Sequence, residues 1–425
     1  MNALSSIYNR YIKKNDKLFA NFSYMTIVQL FLLVAPLITY PYLIKVLGRD
    51  IYGLIITAQV LTSYASLIID FGTNGVCAKH VSVNRFDKEK LSEIVSSVLC
   101  VRTFLCVICF LLYLLIVYVV PAYREHAPLF LFTYLFTLNE VLFPQYFFQG
   151  IEEMKYITFI NIITKLVFIS LVFFFVDNVE DYVLVPILYG IGYILGGIFS
   201  MRILLCKYGI RLFFPNYQMM RFYIKDASAI FATDLICTIK DKLNYFFIGH
   251  SVGMGEVVIY DLGFKLNAIM SKPTNIIASV IFPRLAQTRS IKIFKFVTLL
   301  TFILMLVVLV LVNVFLPEIV NIFINEEIDL FPIRLIILVP LILSVSYSIC
   351  YNLFIAFGYN KYVLSSIVIT TFAYIILMIG AYSLNVLNNI YTYIYIALIS
   401  YIVELFYRLY KAHIISNREK NEEYE

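Results

Sequence analysis

Residues 294–316 read FKFVTLLTFILMLVVLVLVNVFL, with Lys295 as the one charge in the stretch. A helix needs about 20 apolar residues, at about 1.5 Å rise each, to cross the roughly 30 Å hydrocarbon core of a bilayer. Comparable runs recur along the 425-residue chain, which is 61% hydrophobic and 14% charged. A soluble domain carries about 25% charged residues, and ordinary globular cores do not hide this much apolar surface. Membrane β-barrels use alternating strands of about ten residues; these runs are too long and too uniformly apolar for that. The sequence therefore predicts an all-α polytopic membrane protein.

Reading outward from this stretch gives twelve spans, at 22–45, 51–73, 93–120, 128–149, 156–176, 182–205, 224–249, 256–281, 294–316, 330–357, 362–384 and 390–412. Residues 1–21 are polar, carry Arg10, Lys13, Lys14 and Lys17, and read as a cytoplasmic tail rather than a cleaved signal. With alternating sidedness, 23 Lys and Arg fall on the side of the N-terminus, against Arg49, Arg124 and Arg334 on the other. The positive-inside rule then places both ends in the cytoplasm. Acidic residues gather in the opposite loops, at Asp177, Glu180 and Asp181 and at Glu318, Glu326, Glu327 and Asp329. Trp is absent, so tyrosines near span ends (Tyr118, Tyr123, Tyr182, Tyr362, Tyr391) are left to form the interfacial belt.

A weak repeat at an offset of 205 lays Tyr42–Leu61 over Phe247–Leu266, with Gly48 on Gly253 and Leu61 on Leu266. Six spans precede the second copy, which implies a parallel repeat of the kind found in transporters. The expected organisation is a tail at 1–21, one lobe at 22–210, a second at 211–415 and a tail at 416–425.

Ionisable residues within spans are costly and point to a pathway. They concentrate at the start of the second half: Asp234, Lys240, Asp241 and Lys242 on the seventh span, and Asp261, Lys265 and Lys272 on the eighth. Asp261, Lys265, Lys272 and Asn275 fall near one face of a helix, and the eleven residues from Asp261 to Lys272 rise about 16 Å. Two readings stand side by side. The charges neutralise one another, with Asp261 and Lys265 spaced for an i, i+4 pair and Asp241 meeting a lysine of the eighth span. Alternatively, the lysine surplus meets an anionic, phosphate-bearing substrate. In the first half, Arg102 and Lys165 lie about nine residues in from the cytoplasmic ends of their spans and either snorkel or face a cavity. Glu140 is mid-span, Asp70 ends the second span, and Glu404 is spaced to pair with Arg408. Pro36 and Pro41 are expected to interrupt the first span, Pro144 the fourth, Pro273 the eighth and Pro340 the tenth. The seven cysteines, including Cys106 and Cys109, and the four scattered histidines read as packing and span-end residues rather than a ligand set.

Four segments together resemble the Wzx-type O-antigen and polysaccharide repeat-unit flippases of the multidrug/oligosaccharidyl-lipid/polysaccharide exporter superfamily. They are Pro36–Gly53, Asp70-Phe71-Gly72 with Asn84–Arg102, Pro144–Leu166 with its Phe148-Gln149-Gly150, and Asp241–Leu266 followed by Pro283-Arg284-Leu285. The resemblance implies two six-helix lobes in a MATE-like V, with a cationic cavity that receives an undecaprenyl-pyrophosphate-linked glycan while its tail stays among membrane lipids. It implies translocation across the bacterial inner membrane by alternating access, and no enzyme activity, cofactor, metal or nucleic acid. Contact with polymerase and chain-length components of the polysaccharide pathway and coupling to a proton or Na+ gradient would complete the picture. On this view Lys240, Lys242, Lys265, Lys272, Arg102 and Lys165 are substrate contacts, and Asp241, Asp261, Glu140 and Asp70 are ion-coupling candidates. The alternatives are a cation-coupled drug exporter of the same superfamily, an O-antigen polymerase-type membrane enzyme, for which the outer loops are short, and an assembly scaffold, which leaves the buried lysines unexplained.

Overall fold

The computed structural model describes residues 2–324 and 326–422, with side chains described for 20–21, 23–324 and 326–419. The side chains of Arg10, Lys13, Lys14, Lys17 and Lys420 lie outside the described residues. Among the described residues there is no strand. The long helical segments are α1 (Asn2–Leu47), α2 (Arg49–Val83), α3 (Lys88–Val119), α4 (Ala127–Gly150), α5 (Met154–Phe175) and α6 (Val179–Lys207). They continue as α7 (Tyr217–Ser251), α8 (Met254–Met270, resuming as Lys272–Thr288), α9 (Ile291–Val314), α10 (Phe331–Ile355), α11 (Asn360–Ser383) and α12 (Ile390–Glu422). Ten of these, α1 to α6 and α9 to α12, have segments long and apolar enough to cross a membrane, so the chain is a multi-pass membrane protein. α7 and α8, which carry the charged cluster, fall outside that set.

The breaks follow local chemistry. Asp70-Phe71-Gly72 interrupts α2, with Phe71 and Gly72 both left-handed at φ 47° and 70°. Phe143-Pro144 breaks α4, Ser271-Lys272-Pro273 divides α8, and Pro340 follows a turn in α10. Pro36 and Pro41 do not interrupt α1, which is continuous around them. The preceding turn of a helix absorbs the lost hydrogen bonds of a proline where neighbours support it.

The chain forms two compact units: residues 1–48 with 58–235, and residues 49–57 with 236–425. In the first, the break in α2 and the end of α4 share a core of Cys77, Val81, Phe147 and Phe148 with Val95 of α3 and Ile157 of α5. Gly150, the glycine of the Phe-Gln-Gly motif, makes this approach possible: a Cβ there would lie 2.6 Å from the Ala78 carbonyl oxygen and 2.6 Å from the Val81 side chain. The start of α7 packs on the break in α2, where Phe71 and Phe231 stack at 4.2 Å and His80 meets Asp226 at 2.7 Å. In the second unit, α9, α10 and α12 enclose Phe294, Leu353, Phe354 and Ile415. Gly53 brings its helix against the Met254 carbonyl, where a Cβ would sit 1.9 Å from the oxygen. Helix association in lipid relies on such close packing, because lipid tails are as apolar as the helix surfaces.

Overpacking a tight contact costs about 1–3 kcal/mol. Gly150→Val should therefore lower the thermal unfolding midpoint of the detergent-solubilised protein, whereas Gly75→Val, at a site where a Cβ meets no atom closer than 3.5 Å, should leave it nearly unchanged.

Candidate functional site

The buried charges sort by unit. In the first, Arg102 of α3 is 1% exposed. Its Nη2 donates to the Asp70 carboxylate and, at 2.8 Å, to Thr73 Oγ1; its Nε donates to the same hydroxyl at 3.0 Å, and its Nη1 to the Glu140 carbonyl oxygen at 2.6 Å. Its guanidinium also lies over the Tyr146 ring, 5.3 Å from the centroid. Arg102 thus does not snorkel. It ties the α2 break to α3 and α4, using the carboxylate of Asp70 and the backbone, not the carboxylate, of Glu140. Glu140 itself is half-buried and makes no ion pair with the described residues. Lys165 of α5 does not reach for water either: its Nζ sits 4.1 Å from the Tyr189 ring centroid and 5.7 Å from that of Tyr193, both on α6. No carboxylate of the described residues pairs with it.

The second unit holds the lysines of α7 and α8. Lys265 donates to Asp261 one turn away, and Tyr245 donates to the other oxygen of that carboxylate at 3.2 Å. Asp241 pairs with its neighbour Lys240 at 2.9 Å rather than with a lysine of α8. Adjacent helical residues do not ordinarily face each other; here Tyr401 of α12 draws both together, accepting the Lys240 ammonium over its ring at 4.4 Å and donating its hydroxyl to Asp241 at 3.2 Å. One turn on, buried Asn244 donates to Tyr260 at 2.9 Å and accepts from Tyr374 at 2.6 Å. The cavity left among these groups is about 10 Å³, scarcely the room of one water, so it is no pocket for a glycan headgroup. Lys242 is half-buried beside this cluster. Lys272, at the division of α8, is half-buried and has no hydrogen bond or ion pair among the described residues.

A further buried pair fulfils the sequence spacing: Glu404 and Arg408 of α12 meet at 2.8 Å, each 8% exposed. Arg408 also donates to Ser346 of α10 and Ser366 of α11, and Thr370 donates to Glu404 at 3.1 Å. These hydroxyl partners, like Tyr401, Tyr374 and Asn244, were not singled out in the sequence. The signal was there in part, as polar residues punctuating apolar runs, but Ser and Thr also bond their own helix backbone.

The fold is all-α, multi-pass and MATE-like. A solved inward-facing multidrug resistance MATE family transporter of the MOP superfamily aligns with a TM-score of 0.69 at 12% identity, over 93% of this chain and 99% of that one. An outward-facing structure of such a transporter aligns with a TM-score of 0.62 at 13% identity, over 94% and 96% of the two chains. The family model described as polysaccharide biosynthesis protein matches residues 18–289, and this chain belongs to that family. Two relatives share the name "Putative O-antigen transporter". That of Escherichia coli (strain K12) is 23% identical over 268 residues, 63% of this chain and 65% of its own length. That of Shigella dysenteriae is 24% identical over 253 residues, 59% of this chain and 63% of its own. The match thus spans slightly less than two thirds of each relative.

Removing one partner of a buried ion pair costs about 3–5 kcal/mol, whereas replacing both with apolar groups is often neutral. Arg102→Leu should strongly destabilise the purified protein in thermal unfolding, and Arg102→Leu combined with Asp70→Leu should recover much of the loss. Additive losses in the double variant would mean that the two side chains do not act as a pair.

Proposed function

We propose that this chain is a flippase that carries undecaprenyl-pyrophosphate-linked oligosaccharide repeat units across the bacterial inner membrane, for O-antigen or another surface polysaccharide. Membership of the polysaccharide biosynthesis family and the names of the two relatives support the class of substrate. The observation that carries the reading is Lys272, a half-buried ammonium with no hydrogen bond or ion pair among the described residues. A cation in that position wants an anion from elsewhere, and a pyrophosphate supplies two charges and several acceptors.

In this reading the topology has twelve spans with both ends in the cytoplasm, tails at 1–21 and 416–425, and lobes at 22–210 and 211–415 that exchange between inward- and outward-open states. Lys272 is the leading headgroup contact, with Lys165 next and Lys242 a further candidate. Lys240 and Lys265 take a lesser part, since Asp241 and Asp261 already neutralise them, and Arg102 serves the architecture. Asp241 and Asp261 can release their lysines on protonation, and Glu140 and Asp70 complete the coupling candidates for a proton or Na+ gradient. Polymerase and chain-length components are the partners that would receive the product.

A charge-assisted hydrogen bond contributes about 1.5–3 kcal/mol, or roughly tenfold or more in binding. In a strain lacking the chromosomal gene, Lys272→Ala should reduce surface polysaccharide about tenfold at unchanged protein abundance, and Lys272→Arg should retain most of it. Normal polysaccharide with Lys272→Ala would remove this residue from the site. Drug susceptibility that follows the gene while polysaccharide does not would transfer the assignment to a drug exporter.

A further inference from the structure

A groove of about 690 Å³ runs between α9 and α12 of the second unit, floored by Val345 and Ile349 of α10. Its two ends differ in chemistry. One end presents Lys295 of α9 with His413 and Asn417 of α12, the latter two 3.2 Å apart. The other is apolar, lined by Leu299, Phe302 and Leu409. From Lys295 to Phe302 the helix rises about 10 Å, so the apolar trough leads directly away from the basic end.

The balance of charge is one-sided. No carboxylate lines the groove, and Lys295 has no ion pair among the described residues. The two nearest described carboxylates of α12 are committed elsewhere. Glu419 is buried against Arg289 at 3.2 Å and accepts from Tyr359 at 2.9 Å, and Glu404 is held by Arg408. A basic, amide-bearing end joined to an apolar trough on helices of membrane-spanning length is complementary to an amphiphile with a negative head and a hydrocarbon tail. A free phosphate would leave the trough unused, and a second copy of the chain would need an acidic residue opposite Lys295.

We propose that this groove binds one anionic phospholipid, with its phosphate at Lys295, His413 and Asn417 and an acyl chain along Leu299, Phe302 and Leu409. The residues are separate from Lys272, so the site stands whether or not the flippase reading does.

The test is native mass spectrometry of the delipidated full-length protein, titrated with dioleoyl phosphatidylglycerol or dioleoyl phosphatidylcholine. One phosphatidylglycerol adduct is expected, in clear preference to phosphatidylcholine. Lys295→Gln should weaken it about fivefold, the worth of one cation near an anionic lipid headgroup, and Leu299→Trp, which fills the trough without touching the charge, should weaken it further. Lys272→Ala should keep it. Equal binding of the two lipids, an adduct indifferent to both groove substitutions, competition by glycerol 3-phosphate as effective as by lipid, or a protein dimer in place of the adduct would each overturn the proposal.

Discussion

A positive side chain inside a membrane protein needs a partner. Neither hydrocarbon nor an apolar core solvates an ammonium or a guanidinium. Arginine feels this most, since it does not shed its proton, and its five donors call for several acceptors at once. Arg102 and Arg408 answer in the same way. Arg102 meets a carboxylate and a hydroxyl of α2 and a backbone carbonyl of α4, and Arg408 meets a carboxylate, two hydroxyls and a backbone carbonyl from α10, α11 and α12. Such clamps fix where helices meet more than they add net stability, because desolvation offsets much of the attraction.

Lysine, with three donors and a single point charge, is held more lightly. Lys240 and Lys265 each have one carboxylate; among the described residues, Lys165 has only tyrosine faces and Lys272 has no hydrogen bond or ion pair. This gradation separates tightly clamped cations from loosely held ones. On the proposed function, the loosely held ammonium groups are where a pyrophosphate headgroup would gain most.

The helices were largely legible in the sequence, because twenty apolar residues in a row have few alternatives. The pairs Asp261–Lys265 and Glu404–Arg408 were legible for a similar reason, since one turn of helix brings i and i+4 together. Asp70–Arg102 was not. Its partners are 32 residues apart, and the left-handed turn at Phe71-Gly72 that positions Asp70 is a backbone event that the side chains do not announce. Asp241 was expected to meet a lysine of the next helix. The actual partner, Lys240, depends on Tyr401, 160 residues away, which no local spacing encodes. Pro36 and Pro41 misled in the opposite sense, because a kink depends on neighbours as much as on the proline itself.

If Lys272 is held open for a phosphorylated headgroup while Lys240 and Lys265 are neutralised within the protein, their amines differ in reactivity. Amine-reactive labelling of the protein in membrane vesicles open to reagent on both faces, read by peptide mass spectrometry with and without undecaprenyl pyrophosphate, distinguishes them. Lys272 should label faster than Lys240 and Lys265, and the lipid pyrophosphate should protect it selectively. Equal labelling of all three, or a Lys272 rate untouched by the lipid, would contradict this.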